Sequence, residues 1–212
     1  MIDNTITREE AQHFYDRLGV RHDLAEWYEG QAKVHALELL DLHPGQRVLN
    51  VGVGTGKEHI HIQDAITPGG RAIGLDLSPV MLDLTRARTG AQLCKADACA
   101  LPFVASSFDR LFSSYLIDLI PLADIPALLA DFRRVLKPGG RMALVSLTEG
   151  VDLPSRTVVA MWKTAYALRP SACGGCRPLQ LAALVCQAGF CQISRHVVVQ
   201  MGFPSEVVVA TR

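Results

Sequence analysis

The sequence lacks an excess of charge of either sign and is poor in aromatic residues. Its 212 residues include 21 Lys and Arg against 21 Asp and Glu, and aromatic residues make up 6%. Proteins bind nucleic-acid backbones through a surplus of positive charge, so this balance argues against a nucleic-acid partner. The longest apolar stretch, Tyr115–Ala130, is interrupted by two aspartates and two prolines. We therefore expect no transmembrane segment.

The sequence also lacks the marks of a secreted protein. Residues Met1–Glu10 are acidic and polar where a signal peptide needs a basic segment followed by an apolar one. Six cysteines in a chain of this length do not resemble a secreted disulfide framework. We expect reduced thiols and a cytoplasmic location. The length and the 49% of hydrophobic residues predict a single compact domain with a sizeable core.

What the sequence does contain is an alternation of short β-branched runs with helical stretches. This pattern is typical of an α/β fold with a mostly parallel sheet. Five strands are predicted with the spacing of βα units: Arg47–Val51, Arg71–Leu75, Ala91–Lys95, Arg110–Ser114 and Met142–Ser146. Two later runs, His196–Gln200 and Val207–Thr211, are joined by the short connection 201–205 and predict a C-terminal antiparallel hairpin.

Helix signals lie between and before these strands. Ser78 is placed to cap a helix running to about Arg88, with Pro79 at its first position. A second helix is expected over Ala123–Leu136, and we expect residues 137–140 (Lys-Pro-Gly-Gly) to end it. Thr7–Leu42 has a helical pattern outside the βα repeat, and this N-terminal pair of helices could cover a pocket.

The first strand leads directly into a glycine-rich turn, Gly52-Val53-Gly54-Thr55-Gly56. Glycine permits a tight turn and a close approach of the backbone to a ligand. Asp76 follows Gly56 by twenty residues, at the end of the second strand, where a carboxylate can accept both ribose hydroxyls. Asp97 lies just past the third strand and could accept from an adenine amino group. These positions share the edge where open α/β sheets bind ligands.

Five pieces of sequence in this order resemble the class I S-adenosylmethionine-dependent methyltransferases, of the type that includes the ubiquinone and menaquinone methyltransferases. The pieces are Val48–Gly56, Gly74–Leu82, Ala96–Phe103, Ser107–Asp109 and Arg134–Gly140. The resemblance covers roughly residues 37–146. It implies a Rossmann-like α/β fold with a mostly parallel seven-stranded sheet and a C-terminal antiparallel hairpin. It also implies three parts of one methyltransferase domain: a helical cap over 1–42, a cofactor-binding core over 43–147, and a substrate segment with the hairpin over 148–212.

By this resemblance, S-adenosylmethionine would bind at the ends of the first four strands. The glycines Gly52, Gly54 and Gly56 would pack against its methionine part. Such families carry an acidic residue where this chain has Asn50, so a full charge near the cofactor amino group is replaced by an amide.

The resemblance assigns the rest of the cofactor to residues farther along the chain. Asp76 would bind the ribose, and Leu77 and Met81 the faces of the adenine. Asp97 and the backbone of Ala98 would read the adenine edge. The serines Ser113 and Ser114 would lie beside the transferable methyl group.

The expected function is in-line methyl transfer to a small-molecule or lipid-like acceptor, which depends mainly on positioning. If the acceptor carries a proton, candidates for a general base are Tyr15, Tyr115 and Asp118. Aromatic and apolar residues of two segments could line the acceptor pocket: Phe14, Tyr15, Trp27, Tyr28, Met161, Trp162 and Tyr166. A homodimer is possible.

Three alternatives remain open. A nicotinamide-dependent oxidoreductase is disfavoured because Lys57 stands where the dinucleotide fingerprint has Gly or Ala. A non-catalytic cofactor-binding member is suggested by Asn50. A metalloid acceptor, as in arsenite methyltransferases, would need Cys99 to join the pair Cys173 and Cys176 and is less favoured. No metal site is expected, because His59 and His61 point to different faces of a helix.

Overall fold

The computed structural model describes residues 6–212, which form one seven-stranded sheet with helices on both faces. The spatial order of the strands is β3-β2-β1-β4-β5-β7-β6. Their bounds are β1 Arg47–Val51, β2 Arg71–Asp76, β3 Gln92–Lys95, β4 Phe108–Ser114, β5 Leu136–Leu147, β6 Cys191–Gln200 and β7 Phe203–Thr211. The first five strands are parallel, and β7 runs antiparallel between β5 and β6. The predicted fold is confirmed.

Seven α-helices connect or flank these strands within residues 6–212. Their bounds are α1 Arg8–Leu18, α2 Glu26–Leu40, α3 Lys57–Ile66, α4 Pro79–Thr89, α5 Ile125–Val135, α6 Leu153–Leu168 and α7 Leu181–Gln187. The predicted start of α4 is confirmed: the Ser78 hydroxyl accepts the Met81 N–H, and Pro79 is the first helical residue. None of the helices in this part of the chain combines the length and apolarity needed to cross a membrane.

The alternation of side chains along the strands divides the core into two layers. On one face, apolar residues of the central strands pack against α5 and α7; on the other, they pack against α2 and α3. In β7, Val208 and Ala210 belong to the first layer, whereas Val207 and Val209 belong to the second. A strand buried on both faces is expected to be apolar at every position, and residues Val207–Ala210 follow this pattern.

One expected turn agrees with the structure, and the other is too long. Helix α5 ends at Val135, and residues 137–140 interrupt the pairing of β5 with β4 between Leu136 and Arg141, with Gly139 at a φ of 74°. The hairpin connection is two residues rather than five. Met201 and Gly202 both have positive φ, which suits a two-residue turn between twisted strands, so residues 203–205 are part of β7.

The N-terminal helices take different places. Helix α1 lies over the carboxyl ends of the strands, and a 3-10 segment, Gly19–Ala25, links it to α2. Helix α2 instead packs on the sheet through Ala32, Ala36 and Leu40. The prediction of a helix pair over the pocket is therefore correct for α1 but wrong for most of α2, whose apolar face is needed by the sheet. Residues 1–5 of the predicted cap lie outside the described residues, and the three-part division stays a prediction.

Candidate active site

A cleft lies at the carboxyl ends of β1 and β2, and the glycine turn forms its floor. Gly52 and Gly54 have φ values of 72° and 57°, in the left-handed region that favours glycine, and both line the cleft. The N–H groups of Gly52 and Val53 donate to the Leu75 carbonyl at 2.8 and 2.9 Å, which fixes the turn against the end of β2. The backbone is thus exposed to a ligand at this point.

Gly56 has a different role from the other two glycines. It precedes α3, has a φ of 84°, and faces helix α4. A Cβ at this position would lie 2.9 Å from Thr85 Cγ2 and 3.1 Å from the Thr85 Cα. Gly56 therefore permits α3 and α4 to approach each other, and its predicted contact with the cofactor stays a prediction.

Asp76 lies in the cleft at the end of β2, with both carboxylate oxygens already oriented by the backbone. Oδ2 accepts the Gly54 N–H at 2.9 Å, and Oδ1 accepts the Ser78 N–H at 3.0 Å. Burial raises the pKa of this carboxyl, while these backbone hydrogen bonds oppose the rise. Each oxygen can accept a second hydrogen bond, so the pair suits the two hydroxyls of a ribose.

Beyond Asp76, the cleft is lined by Leu77, Met81, Asp97 and Ala98. Asp97 Oδ1 accepts the Cys99 N–H at 2.9 Å, and Oδ2 pairs with the guanidinium of Arg8 at 2.9 Å. Apolar faces with a carboxylate at one edge fit a flat heterocycle with an amino group. The sequence predicted these four residues, but it did not indicate that Arg8 of α1 would reach Asp97.

Two predicted cofactor residues point away from the cleft, whereas Ser114 lines it. The Ser113 hydroxyl is buried and donates to the Val51 carbonyl at 2.8 Å, which ties β4 to β1. Asn50 is also buried, with Nδ2 3.4 Å from Nδ1 of His59 on α3. Burial lowers the pKa of His59 to about 4, so the imidazole is neutral. The amide at position 50 is therefore partnered within the protein.

Glycine backbone, a buried carboxylate and apolar side chains beside a second carboxylate occur together in this cleft, and comparison with known proteins indicates their family. A protein-family profile described as a methyltransferase domain matches residues 48–140, from β1 to the start of β5. Together with methyltransferase relatives and solved structures, this match supports a class I S-adenosylmethionine-dependent methyltransferase. The cofactor of this family is S-adenosylmethionine, and the cleft has the groups to hold it. The match also decides against the dinucleotide alternative.

Relatives and solved structures agree with this assignment. The chain is 32% identical over 163 residues to a protein of transposon Tn4556 from Streptomyces fradiae, covering 73% of this chain and 46% of that protein. It is 28% identical over 178 residues to a demethylmenaquinone methyltransferase of Staphylococcus aureus, covering 79% and 70%. The chain thus spans less than half the length of the first relative.

The fold is shared with a chain from the complex of the Haloferax volcanii Trm112 methyltransferase activator with a methyltransferase. The TM-score is 0.77 at 20% identity, covering 95% of this chain and 96% of that one. At this level of identity the likeness concerns the fold. It extends well beyond residues 48–140.

A second cavity, here called the aromatic cavity, adjoins the methyltransferase cleft and has a volume of ≈ 450 Å³. Six aromatic side chains line it: Phe14, Tyr15, Tyr28, Tyr115, Trp162 and Phe203. Three of them come from the first 28 residues, and two come from α6 and β7. Among the residues predicted for the acceptor pocket, Trp27 and Met161 are instead exposed on the surface. Tyr166 is buried, with its hydroxyl donating to the Gly175 carbonyl.

Four side chains line both cavities and mark the place where they meet: Tyr15, His22, Glu29 and Tyr115. The Tyr115 hydroxyl is 2.6 Å from Ser205 Oγ, and the Tyr15 hydroxyl is 3.8 Å from Cys176 Sγ. Burial raises the pKa of both tyrosines well above the usual value, so both phenols are protonated at neutral pH. Their predicted role as a base stays a prediction, and it would require a phenol that loses its proton less readily than usual.

Asp118, the third candidate base, lies outside both cavities. Its side chain is fully buried, and Oδ2 accepts the Leu147 N–H at 2.8 Å. Burial raises the pKa of Asp118 to about 7, and Arg177 opposes the rise. The buried Arg177 guanidinium donates to the carbonyls of Asp118 and Ile120. These hydrogen bonds connect the loop before α7 to the segment that follows β4. Asp118 is part of that connection.

Sequence reasoning missed a charged cluster at the end of the cleft, beyond the glycines. Lys33 is almost fully buried, and its Nζ lies 2.7 Å from Glu26 Oε1, 3.3 Å from Glu29 Oε2 and 3.4 Å from Glu58 Oε1. Burial lowers the pKa of Lys33, but the three carboxylates outweigh it and raise the pKa overall. A hint existed in the i,i+4 spacing of Glu29 and Lys33, although such pairs are usually solvent-exposed.

The cysteines predicted for a metalloid site are not brought together. Cys173 and Cys176 line the aromatic cavity, whereas Cys99 lines a shallow depression beside Asp131 and Arg134. Within residues 6–212, no group of three or more His, Cys, Asp or Glu side chains is arranged to hold a metal ion. The metalloid alternative is therefore not supported, because its third thiol is at a different site.

Proposed function

We propose that this protein transfers the methyl group of S-adenosylmethionine to a small-molecule acceptor that binds in the aromatic cavity. The proposal depends on one observation: a cleft with backbone and carboxylate groups adjoins a cavity lined by aromatic side chains. The cleft offers backbone groups and Asp76 for the cofactor, and the aromatic cavity offers an apolar space for a second molecule. Its ≈ 450 Å³ volume lies within the range of small-molecule pockets, roughly 300–1,000 Å³.

The junction of the cavities is where transfer would take place. When bound, S-adenosylmethionine supplies an activated methyl group on a sulfonium. Methyl transfer needs the acceptor atom in line with the carbon and the sulfur, and two rigid adjoining cavities can fix both partners. We assign Gly52 and Gly54 to the methionine part of the cofactor, Asp76 to its ribose, and Asp97 to the adenine edge. Ser114 lies between these residues and Tyr115.

The acceptor enters, on this proposal, beside the 3-10 segment. Leu24 lines the aromatic cavity and is 75% exposed, so the cavity opens to solvent there. An apolar body of the acceptor suits the aromatic lining, because transfer of apolar surface out of water is favourable. The name of the Staphylococcus aureus relative, demethylmenaquinone methyltransferase, supports an acceptor of the same small-molecule or lipid-like kind.

The proposal is tested with methyl-labelled S-adenosylmethionine, the purified protein and a cell extract divided by size. We expect calorimetry to detect cofactor binding and the label to appear in the small-molecule fraction or its lipid extract. Label recovered on protein or RNA would contradict the proposed acceptor class. The label on protein and RNA is therefore measured as well. A structural neighbour that was solved with a protein activator leaves the type of acceptor open.

A non-catalytic cofactor-binding protein is the second candidate, and the observation that favours it is Asn50. The acidic residue of related methyltransferases is replaced by an amide that is paired with His59. This candidate predicts cofactor binding without label transfer to any fraction. The same experiment therefore separates the two candidates.

A further inference from the structure

Glu29 is the one carboxylate among the four side chains that line both cavities. It projects from α2, and only 12% of its side chain is exposed. Its Oε2 atom is fully buried and pairs with the Lys33 ammonium, whose Nζ lies 3.3 Å away, but accepts no further hydrogen bond from the described residues. A buried oxygen with unused lone pairs is costly unless a ligand supplies the missing donor. Glu29 therefore points to a ligand that donates a hydrogen bond at the junction.

The surroundings of Glu29 suit a group that accepts a proton near neutral pH. Burial raises its pKa to about 7, and Lys33 opposes the rise. Burial also lowers the pKa of His22 to about 4, so that neighbour is neutral at pH 7. Titratable groups from every neighbouring element contribute to this environment: Tyr15, His22, Glu26, Tyr28, Lys33, Glu58, Tyr115, Asp118 and Cys176.

We propose that the acceptor is an aromatic compound with a hydroxyl group, and that Glu29 accepts the hydroxyl proton during methyl transfer. This inference rests on the proposed function and deepens it by naming the acceptor class. The acceptor O–H bond breaks and its proton passes to the Glu29 carboxylate. An oxygen lone pair forms the new O–C bond, and the electrons of the S–C bond remain on sulfur, which leaves a neutral thioether. Glu29 then returns the proton to solvent.

The lining of the aromatic cavity favours an aromatic ring as the body of the acceptor. The ring centroids of Tyr28 and Phe203 are 4.6 Å apart, and Trp162 meets Phe203 edge to face at 5.7 Å. The Trp162 indole is held in place because its N–H donates to the Cys176 carbonyl at 2.9 Å. Rings arranged at such angles can extend the same stacked and edge-to-face contacts to a further ring.

Protonation favours a hydroxyl over an amine as the acceptor group. The charge of the cluster does not discriminate, because three carboxylates surround the Lys33 ammonium. An amine that is protonated near neutral pH has no lone pair with which to attack the methyl group, whereas a neutral hydroxyl keeps its lone pairs.

The test uses 4-methylphenol as the acceptor probe, because such a phenol keeps its proton near neutral pH as tyrosine does. Benzylamine is the amine probe, and labelled S-adenosylmethionine is the donor. We expect the wild-type protein to transfer the label to 4-methylphenol and not to benzylamine. Glu29→Gln should lower the rate on the order of 100-fold, which is typical for loss of a general base. It should also remove the acid limb of the pH–rate profile, while Glu29→Asp keeps part of the rate.

Glu38→Gln is the matched control, because Glu38 lies on the same helix but is 68% exposed and lines neither cavity. It should leave the rate within a few fold of the wild type. Equal rates for Glu29→Gln and Glu38→Gln would overturn the proposal, as would methylation of benzylamine alone or no binding of 4-methylphenol. If Glu29→Gln does not fold, the decision rests on the wild-type pH profile and Glu29→Asp. Failure of the wild type to bind S-adenosylmethionine in calorimetry would instead overturn the proposed function.

Discussion

The cleft and the aromatic cavity adjoin one another, but they are made from different parts of the polypeptide. The cleft is formed largely by backbone at the ends of β1 and β2, with Asp76 oriented by two N–H groups. The aromatic cavity is formed by side chains from α1, α2, α6 and β7, which are up to about 190 residues apart in sequence. Backbone geometry thus shapes the cleft, whereas side-chain identity shapes the aromatic cavity.

The largest expected effect comes from replacing Asp76, which tests whether the cleft holds the cofactor. We expect Asp76→Ala to weaken S-adenosylmethionine binding by roughly 100-fold, or about 3 kcal/mol, because two hydrogen bonds to a charged acceptor are lost. Isothermal titration calorimetry measures this change. Asp83→Ala removes an exposed aspartate from the same region and should leave the affinity unchanged. Equal affinities for both variants would remove Asp76 from the cofactor site.

A second substitution tests whether close backbone approach holds the cleft in shape. Gly56→Ala should lower the free energy of unfolding by about 2 kcal/mol, because the new Cβ meets Thr85 at 2.9 Å and the residue has positive φ. Gly90→Ala isolates the effect of φ, since Gly90 has a φ of 61° and open space around its Cβ position. Urea unfolding measures both variants. If both variants lose the same free energy of unfolding, the close approach of α3 and α4 at Gly56 does not contribute to stability.

The pH dependence of the free energy of unfolding tests whether Asp118 is buried apart from both cavities. Burial raises the pKa of Asp118 to about 7, so between its ordinary value and pH 7 the folded state holds a proton that the unfolded state has released. The free energy of unfolding should therefore fall as pH rises through this window. Asp118→Asn should reduce that fall, on the order of 1 kcal/mol. Urea unfolding at several pH values from the ordinary 3.8 to about 7 tests this, and an unchanged slope would contradict it.

The smallest expected effect concerns the aromatic cavity. Ser205→Ala removes the partner of the Tyr115 hydroxyl, at 2.6 Å, and should lower the free energy of unfolding by about 1 kcal/mol. Cofactor affinity should be unchanged, because Ser205 lines the aromatic cavity and not the cleft. Thr164→Ala on the exposed face of α6 is the control. A marked loss of cofactor affinity in Ser205→Ala would show that the two cavities are not independent.

Much of the cleft could be predicted from sequence because its determinants are local. The positions of Gly52, Gly54 and Asp76 follow from the ends of predicted strands, and the structure brings them together. Ser113 was harder to place, because adjacent residues in a strand face opposite sides and the sequence did not fix which serine faces the cleft. Ser114 faces it.

The sequence by itself determined the α/β class, the order of the strands along the chain, the start of α4 and the acidic positions after β2 and β3. These depend on local periodicity and on spacing along the chain. The tertiary structure alone decided that Glu29 meets Tyr15 and Tyr115 at the junction, and that Asp118 is buried apart from it. The physical reason is that burial, and with it a shifted pKa, arises from contacts between residues that are distant in sequence. Glu29 and Lys33 have the i,i+4 spacing of an exposed salt bridge. In the folded chain they are largely buried, and Glu29 lines both cavities.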